Sequence, residues 1–178
     1  MRYNFIAKRE SSWTYETSAG GAVGVGVATV AGGMIQLKDP SGKSIKFHYG
    51  SFGAGLSTPG LKLPHTPPKL NLMMPTIAGS QTYYLAKGII FVGEGCKADE
   101  LTADDFRGPC LTVDVGAGLG FGAGGTAFLM GANPMFLTLG VPGLPHLIAS
   151  SSAVLITGGV NAGMQAGAGI SGGVGYVR

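Results

Sequence analysis

The sequence predicts a mainly β protein, a single-domain, Gly-rich antiparallel barrel or sandwich with one short helix. Three observations predict it. Residues 34–50 alternate apolar and polar side chains around an Asp39-Pro40-Ser41-Gly42 turn. Residues 81–93, QTYYLAKGIIFVG, are rich in the aromatic and β-branched residues that suit a pleated surface. Two long runs in the last third alternate glycine with apolar residues, a period of two.

Taken in chain order, the first eighteen residues mix charge with Tyr3, Phe5, Trp13 and Tyr15 and read as a covering strand or arm. Residues 20–37 alternate Val23, Val25 and Val27 with Gly24 and Gly26 and read as a strand. Ile45, Phe47 and Tyr49 then alternate with Lys46 and His48 in the second arm of the clearest hairpin in the chain. Five prolines between Thr58 and Pro75 remove backbone donors and fix φ, so residues 59–75 are expected to be a Pro-rich connector. The segment Lys97 to Phe106 is the expected short helix, with Thr102 as cap and Asp104 and Asp105 in its first turn, stopped by Gly108-Pro109.

The rest is two Gly-rich runs joined through residues 133–146. In the first, Gly116, Gly118, Gly120, Gly122 and Gly124 share one face; in the second, Gly159, Gly163 and Gly167 do. The same residues form small-x-x-x-small rows, which let membrane helices approach closely, so the alternative is a glycine-zipper helical hairpin in the C-terminal half. Propensity favours strands. Glycine costs about 1 kcal/mol per site relative to alanine in a helix, and the apolar positions alternate rather than leaving a helical stripe.

Composition narrows the function. The chain's 178 residues suit one domain, 1–178, and include 33 glycines, while the charged fraction of 12% is about half the ordinary value. From Val115 to Val177 there is no Asp, Glu, Lys or Arg. Such a region, 115–177, must be buried, paired with itself or placed in lipid. The mean hydropathy of +0.31 excludes disorder, and the net charge of +3 is too small and scattered for a nucleic-acid partner. The start, MRYNFIAKRESSWTYE, lacks the apolar core of a secretory signal, so the protein is expected in the producer's cytoplasm or delivered without a cleaved signal peptide. Cys96 and Cys110 bracket an acidic segment and are expected to be free thiols.

No catalytic constellation emerges. Gly167 to Gly172 spell a dinucleotide fingerprint, but only six residues follow, leaving no room for its helix. Gly169 to Gly173 spell a nucleophile elbow with no Asp or His after it. His48, His65 and His146 lie far apart with no carboxylate or cysteine at ligand spacing, so neither a metal nor a cofactor is predicted. Glu94, Asp99, Glu100, Asp104 and Asp105 read as a solvated acidic face. Asp114 stands apart, opening the charge-free run between Val113 and Val115. On a buried face it needs a partner such as Lys or Arg; on a wet lumen it would favour cations.

The small chain, the missing signal and the rows of Gly116, Gly120, Gly124, Gly159, Gly163 and Gly167 resemble the glycine-zipper, membrane-depolarising effectors that bacteria inject into rivals through type VI secretion machines. The resemblance implies a pore-forming toxin that enters a target membrane and leaks ions. Its implied partners are membrane lipid, an immunity protein or secretion chaperone, and further copies of itself. The rival expectation is a soluble Gly-rich β-barrel binding an apolar ligand or protein partner, its glycines letting two sheets pack closely.

Overall fold

The computed structural model describes residues 7–25, 28–57 and 87–178. Among them seven strands join one antiparallel sheet: β1 (Ala7–Glu10), β2 (Thr14–Val25), β3 (Ala28–Lys38), β4 (Ser44–Ser57), β5 (Lys87–Gly93), β6 (Gly108–Met130) and β7 (Ala153–Val177). The order is β1-β5-β7-β4-β3-β2, with β6 on the other edge of β7. β7 is the spine. Ala153 to Gly158 pair with β5, Gly169 to Val177 pair with β4, and β6 runs alongside from Met130 back to Gly108.

The β6–β7 ribbon is bent. Leu119 faces Ala166 but Phe121 faces Ala162, so Gly163, Met164 and Gln165 stand against Gly120 alone. Extra residues on one strand bend a ribbon and raise its twist. Past this bulge the ribbon returns on itself: the Ala132 amide donates to the Pro109 carbonyl at 3.1 Å, joining the two ends of β6. The result is two layers, β2, β3 and β4 with one half of the ribbon and β1 and β5 with the other. Among the described residues the sheet does not close into a barrel.

One end of this sandwich holds the core. Trp13, Ile35, Leu37, Phe47, Ile90, Val92, Phe106, Met130 and Leu155 are buried there together. Phe106 is the hub, with ring centroids 4.8 Å from Trp13 and 5.3 Å from Phe47. Charged residues supply its rim. The Glu100 carboxylate accepts from the Ser11 hydroxyl at 2.5 Å, the Ser12 amide at 3.0 Å and the Leu101 amide at 2.9 Å, clipping the chain before β2 to the loop before β6. Burial opposes ionisation of Glu100, yet these bonds outweigh it and hold the carboxyl at about 2. Cys96 and Cys110 are free and buried, and burial pushes the Cys110 thiol up to about 12.

The hairpin around Asp39 is present, with Met34 facing His48 and Lys38 facing Ser44. The Asp39 carboxylate caps its turn, accepting from the amides of Ser41 and Lys43, each at 2.9 Å. Other expectations are corrected. Residues 20–37 are not one strand but belong to two, since Val25 pairs with Ala28; the Val–Gly alternation of the sequence runs on through Val27, so the pattern hides the reversal. The helix expected over Lys97 to Phe106 is only a 3-10 turn, Ala103–Phe106. Thr102 does cap it, its amide and hydroxyl both donating to Asp105, but Glu100 already occupies the Leu101 amide. The α-helix among the described residues, α1 (Leu144–Ala149), lies instead in the β6–β7 connector. Helical zipper rows do not form: Gly116, Gly120 and Gly124 lie in β6 and Gly159, Gly163 and Gly167 in β7. The connector 59–75, the first part of the 81–93 run and His65 lie outside the described residues.

Candidate functional site

Away from the core end, the strands continue through segments that carry no charge, residues 17–25, 28–37 and 47–57 besides 115–130 and 153–177. Successive side chains on a strand face opposite sides, so β3 and β4 can be read as two rows each. On β4 the inward row runs Ile45, Phe47, Tyr49, Ser51, Gly53, and the outward row Lys46, His48, Gly50, Phe52, Ala54. On β3 the inward row runs Leu37, Ile35, Gly33, Ala31, Thr29, and the outward row Lys38, Gln36, Met34, Gly32, Val30. Polarity inverts along both. Near the core end, oil faces in and charge faces out; beyond Gly50 and Gly32, hydroxyls and glycine face in and oil faces out.

The bent ribbon repeats this. Its inward residues include Thr112, Asp114 and Ser171 on one half and Thr126 and Thr157 on the other, and Thr112, Thr126 and Thr157 are each 3% exposed. Its outward residues include Val115 and Ile170, which pair across the strands and are 47% and 52% exposed. Phe52 is 64% exposed, Val30, its register partner, is 59% exposed, and Ile156 and Ile89 form a third exposed apolar pair. Lys87 is the charge that interrupts this surface, on the outward row of β5 opposite Gly158.

The interior polar groups are bonded to each other. The Thr126 hydroxyl donates to Asp114 Oδ1 at 2.5 Å, joining the two halves of the ribbon, and the Ser171 hydroxyl, next to Asp114 in register, is bonded to it too. Thr112 donates to the Gly173 carbonyl at 3.4 Å and Thr157 to the Thr126 carbonyl at 3.3 Å. Asp114 thus has hydroxyl partners rather than the Lys or Arg expected of a buried carboxylate.

Of the glycines singled out from sequence, Gly124 pairs with Gly159, Gly116 with Gly169 and Gly167 with Gly118; Gly120 and Gly163 fall at the bulge. The structure also assigns close contacts to glycines the rows did not include. A Cβ at Gly53 would sit 1.9 Å from the Gly172 carbonyl oxygen, and one at Gly175 would sit 2.1 Å from that of Gly50. The β4–β7 seam therefore depends on both. Sequence reasoning also missed the interior Thr and Ser row, although Thr112-Val113-Asp114-Val115 displays its signal, polar residues at a period of two among exposed apolar ones.

Among the described residues no group of three His, Cys, Asp or Glu is placed to hold a metal, and no helix is long and apolar enough to cross a membrane. His48 is exposed, its amide and carbonyl exchanging 2.9 Å bonds with Arg178, and His146 stacks on Phe136 at 5.3 Å.

The chain is 34% identical over 176 residues to a protein of Pseudomonas aeruginosa described as toxin protein Tse4, an alignment that covers 90% of each chain. No family model matches the sequence, and no solved structure matches it.

Proposed function

From the premise that this chain belongs to the family of the Pseudomonas aeruginosa toxin protein Tse4, we propose that it is an antibacterial effector that enters a target membrane through its Gly-rich end and dissipates ion gradients through a β-walled pore. The observation that carries this reading is the inversion of polarity along β3, β4, β6 and β7. Strands that cross a bilayer alternate apolar outward with polar inward, the reverse of a water-facing sandwich. The dimensions agree. From Leu111 to the bulge, β6 rises about 30 Å at ~3.3 Å per residue, close to the ~30 Å hydrocarbon core of a bilayer. Tyr176, on the outward row between the charged end and Val174, stands where an interfacial aromatic belongs.

Glycine serves this reading in a different way from a helical zipper. Without Cβ atoms at Gly53 and Gly175 the strand seam closes tightly, and without them on inward positions the interior keeps room for solvent once open. Asp114, with Ser171 and Thr126, is the charged group of that interior. Delivery by a type VI machine, a secretion chaperone and an immunity protein that protects the producer follow from the resemblance and are part of the proposal.

Leakage from anionic liposomes tests it. Wild type is expected to bind vesicles and release both a trapped dye and an ion gradient. Binding without release at any concentration would overturn the pore, and a protein that stays in solution would favour the rival, a β protein whose exposed apolar rows hold a protein partner.

A further inference from the structure

Among the described residues of this interior Thr112, Thr126 and Thr157 are nearly inaccessible, and the Thr126 hydroxyl reaches Asp114, so the two halves of the β6–β7 ribbon meet there. Two layers about 10 Å apart leave space for side chains and no more. Contacts among the described residues hold this region together at both ends. At the core end the Ala132 amide meets the Pro109 carbonyl at 3.1 Å, and the ring of Phe128, on the second half, packs edge-on against Tyr49 of β4 at 5.0 Å. In the Gly-rich part the contact is polar, between Thr126 and Asp114.

We propose that the Thr126–Asp114 contact is a gate: the two halves of the ribbon part there, pivoting on the bulge opposite Gly120, before the interior conducts. This deepens the pore reading and rests on it. The polar contact is suited to the task because its partners do not need each other once apart. Water can take the place of each hydroxyl and carboxylate bond in an opened interior, so separation exchanges one hydrogen bond for others at small net cost. The packing of Phe128 against Tyr49 and the buried core around it has no such substitute and stays closed. The bulge supplies the pivot, since Gly163 to Gln165 against Gly120 already breaks the ladder there. Ser171 stays beside Asp114 on the same half, so the carboxylate keeps a partner in both states.

The test is a bridge across the gate. In a Cys96→Ser, Cys110→Ala background, Asp114→Cys with Thr126→Cys places two thiols where oxygen atoms now lie 2.5 Å apart, to be joined by oxidation or by dibromobimane. The bridged protein is expected to bind anionic vesicles like the same variant before bridging and to leak at least tenfold more slowly than it, and reduction of the oxidised form should restore the unbridged variant's rate. Equal leakage with and without the bridge overturns the gate while leaving the pore intact. A wild type that binds vesicles and never leaks overturns both. Should the double variant fail to fold, Thr126→Val removes the hydroxyl while keeping the shape. It should shorten the lag before leakage severalfold, and an unchanged lag overturns the gate.

Discussion

The two ends of β4 are built from the same backbone and the same pairing, yet they solve opposite problems. Between Ser44 and Tyr49 the strand buries Phe47 and exposes Lys46; between Gly50 and Gly55 it buries Ser51 and exposes Phe52. β3 changes over beside it, from buried Ile35 and Leu37 to buried Thr29 and exposed Val30. The lesson is that a strand's hydrogen-bond register does not dictate which solvent it suits. The choice is made side chain by side chain, and here it is made twice in one strand. The core end hides its apolar side chains from water, and the other end exposes them.

The comparison breaks most severely at its core. Phe106→Ala removes the ring that joins Trp13 and Phe47 and should cost about 3–5 kcal/mol, read as a large drop in denaturant midpoint. At the Gly-rich end, the largest expected effect is on function. Gly120→Leu or Gly163→Leu places a bulky side chain at the bulge and should abolish leakage from liposomes in protein that remains folded by circular dichroism. Leu119→Ala next to it should weaken lipid affinity only modestly, by about 0.8 kcal/mol per methylene lost.

Phe52→Ser sharpens the contrast further. It should leave the unfolding free energy within about 0.5 kcal/mol of wild type, as an exposed substitution does, yet lower vesicle affinity by roughly 10- to 150-fold, because a buried phenylalanine contributes about 1.5–3 kcal/mol. A midpoint that falls as far as in Phe106→Ala would place Phe52 in a water-excluding core instead. A further effect is electrostatic and confined to the core end. Glu100 has a folded-state pKa of about 2 against an ordinary 4.5, so its stabilisation is full above 4.5 and is lost as the pH falls through about 2. Melting curves of wild type and Glu100→Gln should therefore differ at neutral pH and converge near pH ~2.

Much of this fold was legible in the sequence because it depends on periods. The Asp39 hairpin, the two Gly-rich strands and the rejection of helix for residues 116–124 and 159–167 all rest on alternation and on the helical cost of glycine. What was not legible depends on meetings between distant segments. The Val–Gly alternation runs on through Val27, past the point where Val25 pairs with Ala28, and the helical promise of residues 97–106 is cancelled by Ser11 and Ser12 bonding Glu100 from far along the chain. Asp114 was visible as an isolated charge, but its partner Thr126 is visible only once the ribbon bends. The interior Thr and Ser residues were readable in principle, since their spacing is regular. They were obscured because glycine, more numerous on the same face, dominates the pattern.

In the proposed inserted state the Gly-rich end turns its apolar rows to lipid and its hydroxyl rows to water. Single cysteines at Val30, Phe52 and Ile170, and at their inward neighbours Thr29, Ser51 and Ser171, in a Cys96→Ser, Cys110→Ala background, test it most directly. Each variant would be inserted into anionic vesicles and treated with a small, charged thiol reagent. Cysteines replacing Thr29, Ser51 and Ser171 are expected to react, and those replacing Val30, Phe52 and Ile170 to be protected. Reaction of all six at similar rates, or protection of the inward set alone, would contradict it.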